Sequence, residues 1–271
     1  MPRVSVIIPV HEPNEEWLRE AIDSILRQTL ADLEILIVED ARRHLPLSSD
    51  TRVRHLFNPT RGLGAALNFG VRAAAAPLIA RLDADDLAEP DRLAKQVAMF
   101  DADPRLTVAG SQLLVIAENG QPIAERRYPT THDEIVAALQ RYNALAHPAV
   151  MVRKAPIVAV GGYAQSGAAE DYDLWCRLTE RGARFANHPE PLTRYRYHAS
   201  LTRADVRRAI RATIDIKRRH FGRSMSRRAR LRLAGERLLL LLPTRLVSAL
   251  FRMTQLRPLP RREERDGERS S

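Results

Sequence analysis

The sequence has a single cysteine, Cys176, among its 271 residues. One cysteine excludes an internal disulfide framework and any zinc site built from several thiolates, and it fits a reducing compartment. Lysine is scarce, and no glycine-rich loop ends in Lys-Ser or Lys-Thr, so the phosphate-binding loop of many ATPases is absent. The chain also lacks a run of about 18 apolar residues, which a membrane-spanning helix would need. We therefore expect a cytoplasmic protein.

Positive charge is concentrated at one end of the chain. Residues 203–271 contain 20 Lys+Arg and 7 Asp+Glu, whereas residues 1–202 contain 23 and 26, within a net charge of +10. A basic segment of this kind suggests an anionic partner, either a membrane surface or nucleic acid. Few aromatic residues lie between the arginines, which disfavours single-stranded nucleic acid.

A leucine-rich stretch, 238–251, follows the arginine-rich residues 203–237. Together they fit a basic and amphipathic helical extension that lies on an anionic membrane surface. A helix that packs on its own domain or on a protein partner is the alternative. From Gln255 onward Arg, Pro, Glu and Ser dominate the composition, which predicts disorder over 255–271.

Strand and helix patterns alternate along the first half of the chain. Strands are predicted at 4–10, 33–38, 53–57 and 77–82, and helices at 15–28, 63–76 and 91–101. Further on, the patterns predict a strand or two at 107–117, a helix at 131–141, a strand at 146–152, a turn at 161–163, a helix at 170–181, an edge strand at 194–198 and a helix at 202–221. This order is typical of a doubly wound α/β sheet, in which ligands bind beyond the carboxyl ends of the strands.

Three carboxylates follow the fourth predicted strand directly, in Asp83-Ala84-Asp85-Asp86. Acids this close repel one another in water, and a bound cation is the usual reason to gather them. Hard oxygen ligands favour Mg²⁺ or Mn²⁺, particularly when substrate phosphates complete the coordination shell. A solvated acidic turn is the alternative. Asp40 and Arg61 follow neighbouring strands, so one site at this edge could gather all of these side chains.

Two helix starts carry polar groups with possible chemical roles. Gly62-Leu63-Gly64 begins a helix whose N-terminus, together with Arg61, could bind a phosphate, although a plain helix start has the same pattern. Glu170-Asp171 begins an apolar helix, where acids usually offset the helix dipole. One of them could instead take a proton from an acceptor hydroxyl as a general base. His147 and His198 are each either structural hydrogen-bonding groups or metal ligands.

Taken in order, these segments resemble the family 2 glycosyltransferases with the GT-A fold. The segments that carry the resemblance are Val4–Val10, Ile35–Asp40, Gly62–Asn68, Leu82–Asp86, Gly161–Tyr163 and Glu170–Trp175. The resemblance implies a Rossmann-like, doubly wound mixed sheet flanked by helices. It covers residues 3–202, so we predict a glycosyltransferase domain at 1–202, a basic and amphipathic helical tail at 203–254 and a disordered C-terminus at 255–271.

The resemblance also implies a site. The implied substrate-binding residues are Pro9, Val10, Glu12, Asp40, Arg61, Asn68, Asp83 and Glu170. Among them, Pro9 and Val10 would line the nucleotide base, Asp40 would accept a hydrogen bond from a uracil-type ring nitrogen, and Arg61 would lie at the diphosphate.

The implied metal ligands are Asp85, Asp86 and His198, which would bind Mn²⁺ or Mg²⁺. Asp83 and Asp85 would face the ribose and the metal-bound diphosphate. Asp171 would be the catalytic base, with Glu170 as its neighbour.

The implied function is inverting, metal-dependent transfer of a single sugar from a nucleoside-diphosphate sugar of UDP type. The acceptor would be a hydroxyl of a glycan or lipid-linked molecule in cell-surface polysaccharide assembly, and the basic tail would hold the enzyme at the inner face of the cell membrane. The Gln-x-x-Arg-Trp motif of processive synthases is absent, which favours single transfer. Glu39 and Ala41-Arg42 depart from the Asp and Gly-Ser that members commonly have after the second strand.

Two other functions compete with this one. The chain could be a non-catalytic scaffold or binding protein that keeps the fold and presents its basic tail to a membrane, nucleic acid or a partner. A nucleotidyltransferase would share the sheet and the acidic metal site. It would usually need a glycine-rich, lysine-containing loop after the first strand, and here the strand runs straight into Pro9.

Overall fold

The sheet is centred on strand β1 (Val4–Val10), whose sequence is almost entirely apolar and β-branched. It pairs in parallel with β2 (Leu33–Glu39) on one side and with β4 (Leu78–Arg81) on the other. Strand β3 (Val53–Phe57) lies parallel to the outer edge of β2. The chain thus builds outward from β1 to β3 and then returns to the opposite side of β1, which creates a topological switch point between β1 and β4.

This computed structural model describes residues 1–39, 48–165, 168–197, 203–222, 224–242, 246–247 and 257–258. The helices are α1 (Glu15–Leu26), α2 (Leu63–Ala73), α3 (Arg92–Ala102), α4 (His132–Leu139), α5 (Lys154–Ala159), α6 (Glu170–Glu180), α7 (Arg203–Phe221) and α8 (Arg227–Leu239). The remaining strands are β5 (Leu87–Ala88), β6 (Leu106–Ile116), β7 (Pro122–Arg126), β8 (Met151–Arg153), β9 (Arg184–Arg196) and β10 (Arg257–Pro258).

The sheet is mixed, as predicted. Its strand order is β10-β7-β6-β8-β4-β1-β2-β3, and β9 runs parallel to β6 while it pairs antiparallel with β5. Strands β4, β1, β2 and β3 form the parallel half, and β8 joins β4 in the antiparallel direction. The carboxyl ends of β1, β2 and β4 therefore meet at one edge of the parallel half.

Helices cover both faces of the sheet. Ile7 belongs to a core on one face with Leu67 of α2 and Trp175 of α6, whereas Ile8 belongs to a core on the other face with Leu18 of α1. Adjacent strand residues point to opposite faces, so two separate cores explain why β1 is apolar at nearly every position.

Two helix caps predicted from local sequence are confirmed. Asn14 Oδ1 accepts hydrogen bonds from the N–H groups of Glu16 and Trp17, at 3.0 and 3.2 Å. Thr131 and Glu134 form a reciprocal capping box at the start of α4.

Two strand predictions were wrong, and proline explains both. The predicted strand at 146–152 begins as a short 3₁₀ turn, His147–Ala149, and only then becomes β8, because Pro148 cannot donate a ladder hydrogen bond. The predicted edge strand at 194–198 is the end of the much longer β9. Pro189 and Pro191 hide its first half in the sequence, and the pairing register with β6 shifts there.

The C-terminal helices α7 and α8 share the core that contains Trp175. Ile214, Phe221 and Leu233 are buried in that core. The Lys217 side chain is 1% exposed, and its Nζ contacts Glu236 Oε1 at 2.6 Å, which joins α7 to α8. The predicted boundary at residue 202 falls on a segment outside the described residues, and the division into a 1–202 domain and a 203–254 tail stays a prediction.

Two further findings concern the C-terminal region. Arg257–Pro258, within the segment predicted to be disordered, pair with β7 as an edge strand, and the rest of 255–271 lies outside the described residues. In the part of the chain that the structure covers, no helix has the length and apolar character needed to cross a membrane.

Candidate active site

The acidic cluster Asp83, Asp85 and Asp86 lies where β4 ends, beside the carboxyl end of β1. The Leu82 N–H donates to Ile7 O at 3.2 Å, which carries the pairing with β1 one residue past the strand. The Asp86 N–H then donates to Asp83 O at 3.3 Å, so the three acids lie on one tight turn. Each offers a carboxylate oxygen within 4.8 Å of the other two.

The partners of these carboxylates differ. Asp86 is fully buried, and its Oδ1 accepts from the Arg196 N–H at 2.8 Å. Its Oδ2 is also buried and has no hydrogen-bond partner among the described residues. Burial, followed by the charges of Asp83 and Asp85, raises the pKa of Asp86 well above its usual range. Buried carboxylate oxygens without partners are costly, and a divalent cation would satisfy this one. The residues present therefore fit a Mg²⁺ or Mn²⁺ site.

Arg81, the last residue of β4, places a positive charge beside the acidic cluster. Its two terminal nitrogens contact the two carboxylate oxygens of Asp83, with Nη1 to Oδ2 at 2.8 Å, and its side chain is only 5% exposed. Burial acts to lower the Arg81 pKa, but the charges of Asp83 and Asp86 outweigh it and raise the pKa. Sequence reasoning missed this residue, although a charged residue inside the apolar run Leu78–Leu82 was the available signal.

Arg196, at the end of β9, ties several elements to the acidic turn. Its Nε donates to Asp85 O at 2.9 Å, its Nη1 to Glu118 O at 2.6 Å and its Nη2 to Glu20 Oε2 at 2.6 Å. The guanidinium also lies 5.0 Å from the centre of the Trp17 ring. Sequence reasoning did not identify Arg196. The predicted metal ligand His198 is two residues further on, outside the described residues.

Glu170 and Asp171 form the first turn of α6, as predicted. Ala169, with φ 63°, turns the backbone into the helix. Asn143 Nδ2 donates to Asp171 Oδ2 at 2.6 Å. Burial raises the pKa of Asp171, and the Tyr172 N–H and Asn143 act in the opposite direction. Burial and then the charge of Asp171 raise the pKa of Glu170.

His147 lies beside these two acids. Its Nδ1 is 3.9 Å from Glu170 Oε1, and its Nε2 is 3.4 Å from the Tyr163 hydroxyl. Burial, with the nearby Arg81 charge as a second cause, lowers the pKa of His147 well below its usual range. A neutral imidazole is therefore expected at pH 7.

Asn68 and two glycines support this part of the site by packing. Asn68 Oδ1 accepts from Tyr163 N and its Nδ2 donates to Tyr163 O, both at 2.8 Å. A Cβ on Gly162, whose φ is 76°, would come within 2.3 Å of Asn68 Oδ1, and one on Gly64 within 2.1 Å of Ala164 O. Asn68, predicted to bind substrate, therefore holds the backbone of Tyr163, whose hydroxyl contacts His147 in the site.

The predicted base-binding residues lie at the ends of β1 and β2. Half-buried Pro9 and buried Val10 end β1, and Val10 pairs in register with Glu39. Glu39 Oε1 is 3.5 Å from His55 Nδ1. Asp40 is the next residue and lies outside the described residues.

The two loop residues of the predicted substrate-binding set follow β1 and precede α2. Glu12, with φ 45°, belongs to the loop after β1. Arg61 is exposed just before α2, where Gly62 adopts φ 111°.

Comparison with known proteins identifies the family to which this chain belongs. The family model described as glycosyl transferase family 2 matches residues 5–156. The chain belongs to that family. It is 34% identical over 209 residues to the O-antigen biosynthesis glycosyltransferase WbnJ of Escherichia coli, a match that covers 73% of this chain and 81% of the relative. It is 29% identical over 205 residues to the amylovoran biosynthesis glycosyltransferase AmsE of Erwinia amylovora, covering 71% and 75%.

A solved structure supports the predicted fold of this family 2 glycosyltransferase. The chain aligns with the mannosyltransferase PcManGT of Pyrobaculum calidifontis, solved in complex with GDP-Man and Mn²⁺, with a TM-score of 0.58. The alignment covers 93% of this chain and 80% of the other, at 17% identity. The GT-A fold predicted from the sequence is thereby confirmed.

Proposed function

We propose that this family 2 glycosyltransferase transfers a single sugar, with inversion, from a nucleoside-diphosphate sugar to an acceptor hydroxyl. The observation that carries the proposal is the arrangement of acids around Arg81. The charges of Asp83, Asp86 and Asp171 all act on its guanidinium, so the predicted metal site and the predicted base both lie near Arg81. A retaining double displacement would need a nucleophile under the sugar, whereas a single base beside the acceptor suffices for inversion.

In this proposal Asp85 and Asp86, with His198, would hold a divalent ion, which would supply positive charge to neutralise the departing nucleoside diphosphate. Asp83 binds the donor beside them. Asp171 takes the proton from the acceptor hydroxyl as that oxygen attacks the anomeric carbon from the face opposite the leaving group. Partial burial of Asp171 and Glu170 raises the pKa of both carboxyl groups.

The donor and acceptor classes are proposed from the relatives. One relative, 28% identical over 206 residues, is the UDP-Gal:alpha-D-GlcNAc-diphosphoundecaprenol beta-1,3-galactosyltransferase of Escherichia coli. The match covers 72% of this chain and 74% of that protein. This relative supports a UDP-type donor and a glycan or lipid-linked acceptor. The names of WbnJ and AmsE support a role in surface polysaccharide assembly.

The catalytic proposal is tested with Asp85→Asn and Asp171→Asn. A thermal-shift panel of UDP-glucose, UDP-galactose and GDP-mannose, with and without Mn²⁺, identifies the donor, because a ligand that binds only the native state raises its apparent stability. Asp85→Asn should lose the Mn²⁺-dependent shift. Asp171→Asn should keep that shift and lose about 10²- to 10⁴-fold in sugar transfer.

Asp133→Asn is the matched control, since Asp133 is an exposed acid in the first turn of another helix, α4. Full transfer by both site variants would refute the assignment. Failure of the intact protein to bind any of the three donors with Mn²⁺ would favour the non-catalytic scaffold instead.

We propose in addition that α8 and the residues after it place the enzyme on anionic membranes. Leu231, Leu238 and Leu241 are exposed by 75%, 62% and 79%, beside exposed arginines of the same helix. Leucines and arginines that share one exposed surface can contact the apolar boundary and the anionic headgroups of a bilayer together. The proposal commits to an anionic lipid surface because residues 203–271 carry a large excess of positive charge.

Sedimentation with vesicles tests this attachment. Leu238→Glu and Leu241→Glu together should weaken binding to phosphatidylglycerol-containing vesicles several-fold, and binding should fall at high salt. Val158→Glu, a change at an exposed apolar residue on α5, is the control. Equal sedimentation of the double variant and the intact protein would refute this role for α8.

A further inference from the structure

Asn143 lies in the loop between α4 and the 3₁₀ turn, 28 residues before Asp171 in the sequence. Its Nδ2 donates to Asp171 Oδ2 at 2.6 Å, a length typical of a strong hydrogen bond to a charged acceptor. No motif in the local sequence marks this residue. Its contact is with the one carboxylate to which the proposed function gives the proton-transfer step.

The orientation of the Asn143 amide is set by its surroundings. The Leu145 N–H donates to Asn143 Oδ1 at 3.4 Å, so the oxygen faces its own loop and the NH₂ group faces Asp171. An amide flipped the other way would bring two oxygens together at 2.6 Å.

The loop that carries Asn143 is fixed in the core. Ala144 and Leu145 are buried, and Asn187 of β9 donates from its Nδ2 to Ala144 O at 3.1 Å. A side chain held at both ends of its amide, on a buried loop, is preorganised to hold another group.

We propose that Asn143 is a positioning residue that holds Asp171 in the orientation and the ionised state needed for proton abstraction, an inference that rests on the function proposed above. One oxygen of Asp171 is held by Asn143, which fixes the plane of the carboxylate. The acceptor hydroxyl then meets a carboxylate with one defined orientation. A base fixed in this way loses little rotational freedom when the acceptor binds.

The hydrogen bond also opposes the effect of burial on Asp171. A donor to the charged form of a carboxylate favours ionisation, whereas desolvation disfavours it. The other ionisable groups that face or electrically influence Asp171 are Arg81, Asp83, Tyr128, His147, Tyr163, Glu170 and Cys176. Arg81 is the cation among these described groups, and with Asn143 removed its charge and the backbone N–H groups of Asp171 and Tyr172 remain to stabilise the negative charge.

The first test needs no substrate. Carbon-detected NMR of the side-chain carboxylates of the intact protein in Mg²⁺-containing buffer gives the pKa of Asp171, with its resonance assigned from Asp171→Asn. Asn143→Ala should raise that pKa. Asn143→Asp, which keeps the shape but places a second carboxylate beside the first, should raise the pKa of the pair further. Asn119→Ala, which removes a hydrogen-bonding amide from the β6–β7 hairpin, is the control and should change nothing.

The second test is kinetic and uses whichever of UDP-glucose, UDP-galactose and GDP-mannose the intact enzyme consumes fastest. Asn143→Ala should lower kcat about 10- to 100-fold, the size expected for a lost hydrogen bond to a charged group. The KM for the donor should be almost unchanged. The acidic limb of the kcat profile should move to higher pH, because a base with a raised pKa is protonated over a wider range.

A double-mutant comparison distinguishes the possible failures. If Asn143 acts through Asp171, adding Asn143→Ala to Asp171→Asn should cost little further activity. Unchanged Asp171 pKa and unchanged kcat in Asn143→Ala, with Asp171→Asn inactive, would overturn the role of Asn143 alone. An active Asp171→Asn would overturn the proposed base itself. A loss of kcat with an unchanged pH profile and a proportional loss of thermal stability would identify Asn143 as merely structural.

Discussion

Replacing Arg196 by methionine should destabilise the protein and weaken the metal site together. The change removes buried charge-assisted hydrogen bonds to Asp85 O and Glu118 O, each worth about 1.5 kcal/mol or more. The ion pair to Glu20 adds at most about 1 kcal/mol, because the Glu20 side chain is 46% exposed. Contact with the Trp17 ring adds about 1 kcal/mol.

These contributions sum to about 4–5 kcal/mol, and the apolar methionine recovers about 1 kcal/mol by burial. The expected loss of about 3–4 kcal/mol corresponds to a fall in Tm of about 10 °C for a chain of this size. Differential scanning calorimetry measures it. A titration with Mn²⁺ followed by the same method should show a smaller stabilisation than in the unmodified protein, because the Arg196 guanidinium that holds the Asp85 backbone is lost.

The neighbouring Arg194 provides the control. It is two residues earlier on β9, and its Nε lies 2.7 Å from Glu89 Oε1. The Arg194 side chain is 45% exposed. Arg194→Met should cost about 0–1 kcal/mol. The reasoning would be refuted if the two variants melted at the same temperature, or if Arg196→Met kept the full response to Mn²⁺.

Three further predictions concern stability and metal removal. Gly162→Ala should lower the free energy of unfolding in urea by about 2–3 kcal/mol, because its φ is positive and the new Cβ would meet Asn68 Oδ1. Gly120 also has a positive φ but has open space around it, so Gly120→Ala should lower the free energy of unfolding by about 1 kcal/mol. Asp173→Asn should destabilise the protein at pH 7, because Arg177 and His220 hold the Asp173 pKa low despite burial. This stability is present above the unfolded pKa and is lost as pH falls through the folded pKa. The unfolding free energies of the two proteins should therefore converge in acid. EDTA should abolish the donor-dependent thermal shift, and Mn²⁺ should restore it.

The parts of the fold that could be predicted are those whose signals are local. Strand β1 is a run of β-branched residues buried on both faces, and the Asn14 and Thr131 caps act on residues within one helical turn. The acidic turn after β4 is equally local, since its members are adjacent in sequence. The interpretation of these three acids as a ligand site depended on the resemblance to family 2 glycosyltransferases, because the acids alone fitted a solvated turn equally well.

Two of the missed site residues, Arg196 and Asn143, have partners that are distant in sequence. Arg196 contacts Asp86 across 110 residues, and Asn143 contacts Asp171 across 28. Asn68 stays a predicted substrate-binding residue, and its amide binds the backbone of Tyr163, 95 residues away. Only the folded chain brings these pairs together, and an isolated Arg or Asn on a loop or strand carries no local signature of its partner.

The attachment of α7 to α6 has a mechanical consequence. Asp173, one half-turn beyond Asp171 on α6, accepts from Arg177 within the helix and from Arg219 of α7, while the α7 side chains Ile214 and Phe221 are buried beside Trp175. Lys217 of α7 in turn contacts Glu236 of α8, so the helix proposed to face lipid is linked through α7 to the helix that bears the proposed base. An enzyme adsorbed through α8 would keep Asp171 at a fixed distance from the bilayer and at a fixed orientation. The distance between the lipid headgroups and Asp171 would then select acceptors by their length.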